Sequence, residues 1–113
     1  MEEHLPRVYL DFNEDFPHIA EAHGELARRI RESTPFDERT DRLIKLALAI
    51  GAEADGAVRS NVRKGLQHGI TPEEMRYVAL SAITTCGFPT AIAGLRWTQM
   101  VFDGEEVESD REP

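Results

Sequence analysis

Four side chains in this sequence of 113 residues have the type and spacing for work on a small acid: Asn61, His23, Arg59 and Arg63. Asn61 comes three after Val58, seven after Ala54 and four before Gly65, so a helix through this region sets a carboxamide on an apolar face. A buried carboxamide needs partners. It either makes a structural hydrogen bond to a helix end or a neighbouring subunit, or it donates to a carbonyl or carboxylate in a pocket. Arg59 and Arg63 are four apart and, together with Asn61, could line a pocket for an anionic substrate at a subunit edge; a solvated helix face accounts for them as well. His23 falls on an apolar stripe, where it is either a satisfied core histidine or a proton donor.

Other chemistries find less support. His4, His18 and His68 are not spaced as metal ligands, and one cysteine cannot complete a zinc site, so neither a metal nor a cofactor is expected. Cys86 falls at a predicted helix C-terminus, where the dipole disfavours thiolate, and reads as packing rather than as a nucleophile. Glu53 and Asp55 open the helix that carries Asn61 and complement its dipole. Glycine-rich phosphate loops, serine-nucleophile elbows and paired catalytic carboxylates are absent from the sequence.

Helix periodicity dominates the chain, which reads as all-α with about five helices. Residues 1–12, with Pro6 and the apolar set Leu5, Val8, Tyr9 and Leu10, read as an extended N-terminal arm that packs on a neighbour. Residues 13–102 form the helical domain. Phe16, Ile19, Ala20, His23, Leu26, Ala27 and Ile30 make one stripe over 13–32, and Ser33-Thr34-Pro35 ends it. Asp37 caps a helix to about Gly51 that is apolar nearly all round, which places it centrally or in a subunit interface. A helix over 53–68 stops at Gly69, and Thr71-Pro72-Glu73-Glu74 opens the next with a capping box. Gly87-Phe88-Pro89 breaks that helix, and a last one runs over 89–102.

The 13 basic and 21 acidic residues give a net charge of −8. Residues 103–113 hold six acids against Arg111, hence −5, and read as a disordered acidic tail. The remaining −3 offers no basic face, which disfavours nucleic acid. No apolar run reaches the roughly 20 residues that span a bilayer, and no signal core is present, so a cytoplasmic protein that does not engage membranes is expected. The apolar excess of the second and fifth helices is more than a monomer of this size hides, which points to a homo-oligomer.

Three ordered blocks, Phe36 to Gly51, Val58 to Met75 and Gly87 to Ala91, resemble the carboxymuconolactone decarboxylase family, which also includes the AhpD-like alkylhydroperoxidases. The resemblance covers about residues 36 to 95. It implies an all-helical fold whose subunits assemble as trimers or hexamers. The peroxidase branch carries two cysteines separated by two residues and a histidine four positions on. Setting its glycine on Gly69 puts those positions at Ala54, Ala57 and Asn61, and its relay acid near Arg42. Thiol-based peroxide reduction needs an attacking and a resolving thiol, so the resemblance implies the branch without the cysteine pair. That branch decarboxylates an unsaturated γ-lactone, a reaction that needs carboxylate positioning, a polarised carbonyl and a proton source. Asn61 and Arg59 would then bind, and His23 or a water would supply the proton. Three readings follow: a non-redox lyase on a small carboxylated lactone or related acid, a non-catalytic ligand-binding or scaffold member, and a thiol peroxidase.

Overall fold

The computed structural model describes residues 7–105, and they are helical throughout apart from short joints. Seven helical segments occur among them: α1 (Arg7–Asp15), α2 (Pro17–Ser33), α3 (Glu38–Gly51), α4 (Asp55–Gln67), α5 (Pro72–Ser81), α6 (Ile83–Cys86) and α7 (Phe88–Phe102). The chain divides into two compact units between Pro35 and Phe36.

The first unit corrects the expectation of an extended arm, because Arg7 to Asp15 is helix. The expected single helix from residue 13 starts instead at Pro17. Proline restricts the residue before it, and Phe16 takes φ −132°, ψ 63°. Backbone bonds still bridge the bend: Phe16 N–H donates to Phe12 O at 2.9 Å, and Ala20 N–H to Phe16 O at 2.9 Å. Neither α1 nor α2 contains a buried residue. Residues 1–6 of the expected arm, and the acidic tail beyond residue 105, lie outside the described residues.

The second unit holds the core. Asp37 caps α3 by accepting from Thr40 N–H at 2.7 Å, and that backbone donor holds its carboxyl below the usual carboxylate range. Leu46, Ala49 and Ile50 of α3 pack with Val58, Val62, Ile70, Met75, Ala79, Ala82 and Ala91. At the end of α4, Gly69 takes φ +84°, and Ile70 N–H donates back to Gly65 O at 2.9 Å. This six-to-one closure is the Schellman pattern, and it drives Ile70 into the core. The capping box is present: Glu74 N–H donates to Thr71 Oγ1 at 3.1 Å, and Thr71 N–H to Glu74 Oε1 at 2.8 Å. The Thr71 N–H, and after it the Arg39 guanidinium, holds the Glu74 carboxyl below its ordinary value.

One expected helix over the 71–86 region is two segments in the structure. Ala82 N–H donates to Ala79 O at 3.0 Å, an i−3 bond that tightens the turn, and α6 follows from Ala82 as a new single turn. Gly87, at φ +103°, then redirects the chain into α7.

Candidate functional site

The site is assembled on α4 and the turn before it. Glu53, not a glycine, takes the left-handed position of that turn, at φ +55°. Glu53 N–H donates to Ile50 O at 2.9 Å and Ala54 N–H to Ala49 O at 3.1 Å, so a second Schellman closure ends α3. A non-glycine residue there carries roughly 1–2 kcal/mol of steric cost. Its carboxylate is fixed across the unit by Thr90, whose buried hydroxyl donates to Glu53 Oε2 at 2.6 Å. The expected start of α4 at residue 53 is therefore corrected to Asp55, and Glu53 belongs to the turn. Sequence reasoning assigned it to the helix dipole; its link to Thr90 spans 37 residues and leaves no local signal.

Asn61 is half-buried, two turns into α4, and its Nδ2 donates to Ala57 O at 2.8 Å. A carbonyl can only accept, so this bond fixes which end of the amide faces the helix. Oδ1 and the second N–H are left to face whatever covers the Ala54–Ala57–Asn61 edge. The structural partner expected at a helix end or a neighbouring subunit is thus a carbonyl of its own helix.

Of the two readings of Arg59, the solvated helix face does not hold. Its side chain is only 7% exposed, and its Nε donates to Asp55 Oδ1 at 2.7 Å. Arg63, one turn on, is half-buried and also engaged. At about 100° per residue, Asn61 and Arg59 stand roughly 200° apart on α4. The buried residues Val58, Val62 and Gly65 fill the arc between them, so the two mark opposite margins of the core face. α4 by itself therefore does not set both on one face.

His23 lies in the first unit, on α2, and is exposed. The residues on α4 belong to the second unit. Cys86 is exposed at the end of α6, and a Cβ built on Gly51 would stand 3.4 Å from its Sγ. Among the described residues, no cluster of three or more His, Cys, Asp or Glu side chains could hold a metal ion. No described helix is long and apolar enough to cross a membrane.

The family model of the carboxymuconolactone decarboxylase family matches the chain over residues 15–100. The chain belongs to that family. Its match takes in α2 through most of α7, and therefore both the turn at Glu53 and the amide of Asn61. No curated protein and no solved structure matches the chain.

Proposed function

We propose that this member of the carboxymuconolactone decarboxylase family is a non-redox lyase that removes carbon dioxide from a small carboxylated lactone or related acid. The observation that carries the reading is Asn61: a half-buried amide pinned through Nδ2 to Ala57 O, on an α4 edge whose two preceding positions, Ala54 and Ala57, hold no thiol. Ala54 and Ala57 are small and, like Asn61, half-buried. The free N–H of Asn61 donates to the ring carbonyl and stabilises the charge that develops there as carbon dioxide leaves.

The electron pair of the breaking C–C bond delocalises into the unsaturated lactone, and a proton then replaces the carboxyl. Asparagine does not titrate near neutral pH, so that proton comes from water. Arg59 and Arg63 stand on the other margin of α4 and act on the substrate anion through their field rather than by contact. Cys86 has no part in the reaction.

The test is carbon dioxide release and binding with a panel of unsaturated γ-lactone carboxylates, comparing wild type with Asn61→Ala. Turnover lost in a folded Asn61→Ala protein supports the assignment. A folded wild-type protein that neither binds nor turns over the panel refutes it and favours a non-catalytic member of the family.

A further inference from the structure

The edge of α4 that carries Asn61 continues beyond it. Ala57, Asn61, Lys64 and His68 follow at spacings of four, three and four, so they lie along one line of the helix and its C-cap. The element facing that line is α3. His68 Nε2 stands 3.1 Å from Glu38 Oε2 at one end of the pair, and Ala54 N–H donates to Ala49 O at 3.1 Å at the other, so α3 and α4 run antiparallel. Arg42 comes one turn after Glu38, and Lys64 one turn before His68. The two are therefore level across the seam, one turn of α4 from Asn61.

Arg42 falls four before Leu46 and seven before Ala49, both buried, which puts it on the core-facing side of α3. Its side chain is only 24% exposed. A guanidinium carries five N–H donors, yet among the described residues that of Arg42 makes no hydrogen bond. Its one contact is an ion pair with Glu38 Oε2 at 3.6 Å, too long for a hydrogen bond, and Glu38 is shared with His68. A half-buried cation with its donors unused is prepared to take a better carboxylate than the one it has.

We propose that Arg42 binds the carboxylate of the substrate, while Asn61, one turn along the α3–α4 seam, meets the ring carbonyl. This rests on the lyase reading given above. The substrate replaces the loose contact with Glu38 by a bidentate pair on the guanidinium fork. Lys64, half-buried on the facing line and engaged with a partner of its own, adds positive potential at the same level. Arg59, paired with Asp55 on the opposite margin of α4, is not placed to do this. The ion pair with Arg42 exists before the C–C bond breaks, so it contributes to binding and not to the chemical step.

The experiment uses the full chain and calorimetric titration with a saturated γ-lactone carboxylate. That acid has no unsaturation to accept the electron pair and does not turn over; its methyl ester is the uncharged counterpart. Arg42→Gln is expected to weaken binding of the acid about tenfold or more and to leave the ester unchanged. Arg42→Lys keeps the charge without the fork and falls between, and Glu38→Gln, which removes the competing carboxylate, tightens the acid several-fold. Arg76→Gln, the same change of charge on α5, moves neither ligand. Loss of a pair as long as that with Glu38 costs little stability, so the Arg42 variants fold, as circular dichroism checks. With an unsaturated acid that turns over, Arg42→Gln raises KM and leaves kcat no lower. Acid binding unchanged in Arg42→Gln, acid and ester weakened alike, an equal loss in Arg76→Gln, or a folded wild type that does not bind the acid would each overturn the proposal. Binding of the acid that depends on Arg42, without carbon dioxide release from any unsaturated acid, keeps the anchor and removes the lyase reading.

Discussion

Two glycines inside helices separate steric cost from helix propensity within one molecule. A methyl on Gly94 of α7 would stand 2.8 Å from Ile50 Cγ2 and 3.1 Å from Ile50 Cγ1. Ile50 is fully buried and β-branched, so its two γ carbons cannot swing aside within a helix. Gly94→Ala gains about 1 kcal/mol in helix propensity and loses about 2–3 kcal/mol to overpacking. It is therefore expected to destabilise the protein by about 1–2 kcal/mol. Gly65 of α4 meets its nearest atom closer still, at 2.6 Å, but that atom is Met75 Cε, with Ile70 no nearer than 3.5 Å. The end of an unbranched thioether moves at little cost, so about 0.5 kcal/mol of the propensity gain of roughly 1 kcal/mol survives. Urea unfolding of both variants at one protein concentration, followed by circular dichroism, reads the difference as a shift in midpoint. Gly65→Ala proving the more damaging of the two, or Gly94→Ala matching wild type, would refute the seating of α7 against Ile50.

Three further outcomes are expected. Thr98 is fully buried in α7, and its Oγ1 has no hydrogen-bond partner; Thr98→Val keeps the shape, removes the stranded hydroxyl and raises stability by about 1 kcal/mol, readable as a rise in Tm. The carboxyls of Asp37 and Glu74 are held low by the Thr40 and Thr71 backbone donors, with Arg39 adding to the second. A depressed carboxyl stabilises the fold above its unfolded value and loses that contribution as pH falls through the folded one, so Tm drops on acidification below the ordinary carboxylate range and drops less in Asp37→Asn and Glu74→Gln. Cys86→Ser leaves carbon dioxide release unchanged, and a folded Cys86→Ser protein that has lost activity would restore a role for thiol chemistry.

Legibility of the fold followed the range over which each signal acts. The Thr71–Glu74 box and the Asp37 cap were readable because donor and acceptor sit three residues apart, and both are present. The blocks that resemble the family lie within the residues its model matches. Misreadings came where a local rule was outweighed. Pro17 was passed over inside a long apolar stripe, yet its restriction of Phe16 ends α1. The start of α4 was placed two residues early because Glu53 occupies a left-handed position that glycine usually marks. Arg59 was left between a pocket lining and a solvated face, and the second does not hold, because its place on the core margin, paired with Asp55, buries it.

The margins of α4 also decide what the site can be. Had Arg59 and Asn61 shared a face, an ion pair with the substrate carboxylate would have been the obvious device, but such a pair stabilises the ground state of a decarboxylation at least as much as its transition state. Arg59 is drawn into the core margin by Asp55 at 2.7 Å, so on the proposed reading the substrate carboxylate would meet no direct cation from that residue. The amide of Asn61, held from behind by Ala57 O, is on that reading the group that would meet the ring carbonyl where negative charge accumulates. Asn61→Ala should therefore lower kcat more than it raises KM. A raised KM with kcat unchanged would make Asn61 a substrate anchor and remove the argument that its amide acts on the transition state.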